Sequence, residues 1–153
     1  MKIMNLCDNI DYIPTVAKWI YNEFIFGIKD DVSYEDIIES INICYKQELP
    51  VRLIALIDDK CVGTVSLVEN DLECRNYLPW LAALYVDENH RNQGIGECLI
   101  NALIDIAKEL RYRKLYLRTE HASGYYRKLN WDFIETCDDK YDLKPDVFSY
   151  DLK

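Results

Sequence analysis

The sequence predicts an α/β fold, and three observations predict it. Trp80 to Val86 (WLAALYV) is an apolar run of strand length, closed by the polar turn DENHRNQGIG. A helical pattern follows, with apolar residues at Ile95, Cys98, Leu99, Ala102, Leu103, Ile106 and Leu110, spacings of three and four that put one face toward a core. Downstream, Leu115 to Thr119 reads as a further strand, so the helix is the crossover of a βαβ unit.

The remaining elements follow in chain order. Residues 2–6 form a short first strand, and Asp8 to Asp11 hold polar capping residues. A helix runs from Tyr12 to Phe24, with Pro14 in its first turn, where proline is tolerated. Ser33 with Asp36 makes a capping arrangement for a second helix, which carries Ile37, Ile41 and Cys44 on one face. Val51 to Ile57 and Cys61 to Glu69 are hairpin partners about Asp58-Asp59-Lys60, and Gly63 marks a bulge or a close approach. Residues 70–79 (NDLECRNYLP) form a polar loop leading into the apolar strand at 80–86. Phe133–Cys137 and Val147–Leu152 are two closing antiparallel strands, joined by the polar segment Asp138 to Pro145.

The turn between Val86 and the long helix has chemistry of its own. The first N–H groups of a helix have no partner inside it, and the aligned peptide dipoles place about half a positive charge there. Gly94 and Gly96 leave the backbone open to close approach by a phosphate, and Arg91 adds a fork of donors. Leu99 stands where the third glycine of a dinucleotide fingerprint would fall, which argues against a Rossmann site.

Composition sets the function classes. A chain of 153 residues, half of them hydrophobic, suits one domain over 1–153 with a core that needs no staples. No apolar run approaches the ~18 residues of a membrane span, and MKIMNLCDN lacks a signal-peptide pattern, so a cytoplasmic protein is expected. The six cysteines (Cys7, Cys44, Cys61, Cys74, Cys98, Cys137) show no metal-like spacing and read as small hydrophobes, Cys98 on the inner helix face among them. With only His90 and His121, a metal site is not expected. A net charge of −9 disfavours nucleic-acid binding, and it either attracts cations such as amines and polyamines or serves only to keep the protein in solution.

Two ordered motifs then carry a resemblance. Arg91-Asn92-Gln93-Gly94-Ile95-Gly96 resembles the (Gln/Arg)-x-x-Gly-x-(Gly/Ala) signature of the GNAT superfamily of N-acetyltransferases, preceded by LYVDENH like that family's fourth strand and exit loop. Ala122 to Trp131 (ASGYYRKLNW) resembles the family's A-x-x-(Phe/Tyr)-Tyr-x-(Lys/Arg)-Leu-Gly-(Phe/Trp) block, with Asn130 in place of the glycine. Asn tolerates a left-handed conformation best among the other residues, so the turn survives.

The resemblance implies a mixed, mostly antiparallel central sheet of six to seven strands with helices on both faces, its fourth and fifth strands splaying apart. It implies acetyl-CoA as co-substrate and no metal. Arg91, Asn92, Gln93, Gly94, Ile95 and Gly96 would hold the pyrophosphate, and Leu84, Tyr85 and Val86 the pantetheine. It implies direct attack by a primary amine through a tetrahedral oxyanion, held by a free N–H of the fourth strand. Tyr126 would protonate the departing thiolate, favoured over Tyr125 by motif register, with Glu120 or His121 as the base and Glu73 a competitor. Asp71, Glu73 and Arg75 fall on the acceptor side, as do the two N-terminal helices with Trp19, Tyr21, Phe24, Phe26 and Tyr34. The acceptor, a small molecule or a peptide amine, stays open, as does a monomer or a homodimer. The competing reading is a GNAT-fold module that binds CoA as a sensor or partner-binding scaffold without turnover.

Overall fold

The computed structural model describes residues 1–153. Seven strands form one sheet in the order β1-β2-β3-β4-β5-β7-β6. They are β1 (Lys2–Asn5), β2 (Val51–Ile57), β3 (Lys60–Val68), β4 (Trp80–Val86), β5 (Lys114–Thr119), β6 (Asp132–Thr136) and β7 (Asp146–Asp151). Every neighbouring pair is antiparallel except β4 with β5. The helices are α1 (Ile13–Ile20), α2 (Tyr34–Ile41), α3 (Ile95–Glu109) and α4 (Ser123–Lys128). The mixed, mostly antiparallel sheet expected from the sequence is therefore present.

Period-two patterning sends successive residues of β2 to opposite faces, and each face is covered by helices. Leu53 and Ala55 join α3 in the larger core, which continues through Leu103, Leu115, Leu117 and Phe148. Ile54 and Leu56 join α1 and α2 through Val16, Ala17, Ile20 and Ile41. A third, smaller core gathers Leu72, Trp80, Cys137 and Val147 beneath the loop before β4.

Local chemistry explains the boundaries. Asp58 and Asp59 both take positive φ (50° and 62°), as a tight hairpin turn between β2 and β3 requires. Ser33 caps α2 through its side chain on the Asp36 N–H, and Asp36 returns the bond to the Ser33 N–H. That helix stops at Ile41, so Cys44 lies beyond it rather than on its face. The first helix is shorter than its pattern implies: α1 ends at Ile20, and Tyr21–Ile25 continues as a single widened π turn.

In α3 the buried residues are Ile95, Leu99, Ile100, Leu103, Ile104 and Ala107, worth about 1.5–3 kcal/mol for each large side chain. This face is rotated from the one anticipated, and Cys98 is exposed, contrary to expectation. Of the six cysteines only Cys61 and Cys137 are buried. Gly63 is a close-approach position: a Cβ there would stand 3.0 Å from Leu99 Cδ1 and 3.2 Å from the Tyr85 carbonyl oxygen. The bare backbone of β3 lets the first turns of α3 lie directly against it.

Candidate active site

The sheet divides where its only parallel pair should run. β4 and β5 pair only where Trp80 stands opposite Tyr116, and the strands separate beyond it. On its other edge β4 stays paired with β3, but Ala83 and Leu84 together oppose Val65 alone. This bulge places Ala83 at φ 54°, a left-handed conformation unusual for alanine. A cavity of about 440 Å³ occupies the gap. Leu81 to Leu84 of β4, Thr119 at the end of β5 with Glu120 to Ala122 after it, and Tyr126 of α4 form its walls, with Glu23 to Ile25 from the turn after α1 closing one side.

At the far end of β4, the chain turns into α3 through Gly94, at φ 81°. None of the backbone N–H groups from Gln93 to Glu97 finds an acceptor within the protein. They form a run of free donors at the positive end of a 15-residue helix. Arg91 donates from Nε to the Val86 carbonyl at 2.9 Å, and its guanidinium lies over the Tyr85 ring at 5.3 Å. Trp19 of α1 packs on Tyr85, with ring centroids 5.2 Å apart. Arg91 is thus held beside the turn while its two Nη groups have no partner. Asn92, also at positive φ, Gln93 and Gly94 are exposed, whereas Ile95 points into the core. A Cβ at Gly96 would lie 3.1 Å from the Tyr125 hydroxyl and 3.7 Å from Val86 Cγ2, so this turn, α4 and the end of β4 converge.

Tyr126 is 7% exposed, and that remainder faces the cavity between β4 and β5. Trp131 and Phe148 hold its ring at 5.9 and 6.3 Å between centroids. Burial pushes its phenol well above the ordinary value, which keeps it protonated. Tyr125 is exposed at the edge of the same helix. Asn130 adopts φ 67°, the left-handed turn that its sequence position called for.

The polar wall is organised by Arg118. Its guanidinium bonds Glu120 at 3.0 Å and Asp139 at 2.8 Å, and the Arg118 and Asp139 side chains are only 10% and 5% exposed. Glu120 and His121 both line the cavity, Glu120 committed to Arg118 and His121 without a hydrogen-bond partner. Asp71 lines it too, and its carboxylate accepts no hydrogen bond. The protein packed around Asp71 pushes its carboxyl up to about 6, against the opposing pull of Arg118 and Lys29.

The other loop residues proposed for the acceptor side lie farther off. Glu73 pairs with Lys140 at 3.0 Å and lines a neighbouring cavity. Arg75 lines none of these cavities: its guanidinium grips Glu135 of β6 at 2.9 and 2.7 Å, and Tyr77 adds a bond at 2.8 Å. It is a structural clamp between the loop and the sheet edge. Two features had no signal in the sequence. The Ala83 bulge sits on a residue with no left-handed preference, and the Arg118–Asp139 pair joins positions 21 residues apart.

A model of the Acetyltransferase (GNAT) family matches residues 14–131. No curated protein matches the chain in sequence. Among solved structures, an aminoglycoside 6'-N-acetyltransferase complexed with coenzyme A superposes with TM-score 0.78 at 16% identity, covering 100% of this chain and 98% of that one. A GNAT-family acetyltransferase from Staphylococcus aureus Mu50 gives TM-score 0.70 at 22% identity over 99% and 100% of the two chains. A ribosomal-protein-alanine N-acetyltransferase from Brucella melitensis gives 0.74 at 20% identity over 99% and 100%.

Proposed function

The chain belongs to the GNAT acetyltransferase family, and from that premise we propose that it moves the acetyl group of acetyl-CoA to a primary amine by direct attack in a ternary complex. The observation that carries this reading is the gap between β4 and β5, with Tyr126 in its wall and the free N–H groups of Gln93 to Glu97 at its far end.

The residues present fit coenzyme A. The free N–H groups of the α3 turn, with the Nη groups of Arg91, would donate to the pyrophosphate oxygens. Asn92, Gln93, Gly94, Ile95 and Gly96 bring this backbone within reach. The unpaired edge of β4 at Leu84, Tyr85 and Val86 takes the pantetheine amides as another strand would. An N–H at the Ala83–Leu84 bulge is the donor for the oxyanion.

The amine enters as ammonium and gives one proton to the wall of the cavity. His121 is better placed for this than Glu120, whose carboxylate Arg118 already holds. The nitrogen lone pair forms the C–N bond, and the thioester carbonyl becomes the oxyanion. Collapse breaks the C–S bond, the thiolate takes the Tyr126 proton, the extra proton of the amide nitrogen returns to Tyr126 through the cavity, and the proton first given to the wall passes to solvent. The products are the N-acetyl amine, free CoA and one proton to solvent.

Comparison of Tyr126→Phe with the wild type tests the reading, with thiol release measured over a panel of amines. We expect kcat to fall about tenfold or more while acetyl-CoA affinity holds. Tight acetyl-CoA binding with no turnover on any amine would favour a CoA-binding module instead. Absence of CoA binding would remove the assignment.

A further inference from the structure

Asp71 stands where three cavities meet. It lines the reaction cavity with Tyr126, a second of about 660 Å³ under residues 138–141, and a third of about 540 Å³ beside Arg52. The second cavity shares Ile25, Lys29, Asp71 and Arg118 with the reaction cavity, so the two are neighbours across these side chains. Its lining carries five carboxylates against three cations. Four of the five already have partners. Asp139 takes Arg118, Glu73 takes Lys140, Asp138 takes Lys144 and Asp31 accepts from the Tyr141 hydroxyl. The Asp71 carboxylate accepts nothing, and its backbone carbonyl takes Arg118 Nη1 at 3.4 Å.

We infer that Asp71 is the specificity-determining residue of the acceptor side, and that the acceptor is a small polycationic amine. Its reacting nitrogen lies in the cavity with Tyr126, and a second ammonium lies on the Asp71 carboxylate. This rests on the acetyl-transfer reading of the site. The Asp71 residue is only partly buried and lines all three cavities, and a ligand ammonium supplies the partner that the protein does not. The size of the adjoining cavity leaves room for the rest of a molecule longer than a simple monoamine. Arg118, Lys29 and Glu120 are the charged groups facing Asp71. Arg118 is neutralised by two carboxylates, so it does not repel the ligand as a free cation would. A chain of net charge −9 also raises the local concentration of such cations.

The test compares butylamine with spermidine and with kanamycin, in wild type and Asp71→Asn, the latter two separating linear polyamines from amino sugars. In the wild type, kcat/KM for at least one polycation should exceed that for butylamine. In Asp71→Asn that advantage should shrink about tenfold to hundredfold, because kcat/KM for the polycation falls much further than kcat/KM for butylamine. A general structural role would lower both amines together. The wild-type preference should also grow as pH rises through about 6, where the carboxylate forms.

Equal use of monoamine and polycation, turnover confined to peptide N-termini, or an undiminished preference in Asp71→Asn would each overturn the inference. Calorimetric binding of spermidine and kanamycin to the CoA-saturated protein gives a second readout, independent of turnover. Binding lost in Asp71→Asn without wild-type turnover would support the Asp71 site while refuting the reaction. Wild-type protein that neither turns over nor binds either polycation would refute the Asp71 site.

Discussion

Tyr126 illustrates how burial and chemistry combine in a single side chain. Packed between Trp131 and Phe148, it is fixed in orientation, and desolvation holds its proton on. A phenol that stays protonated can donate to a departing thiolate, and loss of the hydroxyl in Tyr126→Phe leaves the packing intact. The tenfold or larger fall in kcat expected there should therefore come without a comparable loss of stability, measurable by thermal unfolding. Its place in the cavity wall follows the motif register, which separates it from the exposed Tyr125. Arg75 shows the opposite: a charged residue in a loop near the acceptor side reads as a ligand contact, but its partner Glu135 lies 60 positions away, and no local pattern announces it. Cys98 failed for a different reason. Its spacing fits a helical stripe, yet the buried face centres on Leu99, Leu103 and Ala107, and one residue of rotation puts Cys98 in solvent.

Among the elements, β4 and α3 matter most, and Gly63 ties them. Because the Leu99 side chain of α3 and the Tyr85 carbonyl of β4 crowd its missing Cβ, Gly63→Ala must shift both by a few tenths of an ångström. We expect a loss of about 1–3 kcal/mol in stability by denaturant unfolding. Weaker acetyl-CoA binding should accompany it, because the free N–H groups begin α3. Periodicity located α3 and β4 within two residues at each end, since each carries a full apolar stripe or run. The bulge at Ala83 was invisible because it depends on register with β3, not on the residue itself. The first helix likewise reads through to Phe24 in the sequence, while its last turn widens at Tyr21.

For the whole molecule, the sheet edge and the loop before β4 are joined by Arg75, Tyr77 and Glu135. These bonds hold the Glu135 carboxyl down to about 2, below its ordinary 4.5. A carboxyl depressed by folding contributes stability above its unfolded pKa and loses that contribution as pH falls toward its folded one. The wild type should therefore lose this contribution between about pH 4.5 and pH 2. Glu135→Gln, which cannot ionise, should show a shallower acid limb in the melting temperature. An identical acid limb would show that the clamp is worth nothing in solution, as holds for many exposed pairs.

The fold and the turn into α3 were legible because they are built from local pattern. The acceptor side was not, because loops distant in sequence assemble it: residues 23–29, 70–74 and 138–141 meet only in three dimensions. The measurement that bears most directly on the central claim is CoA thiol release from acetyl-CoA with and without added amine, the product identified by mass spectrometry. The account predicts release that depends on the amine and yields its N-acetyl derivative in equal amount. Release at the same rate without amine, or CoA binding with no release for any amine tried, would contradict it.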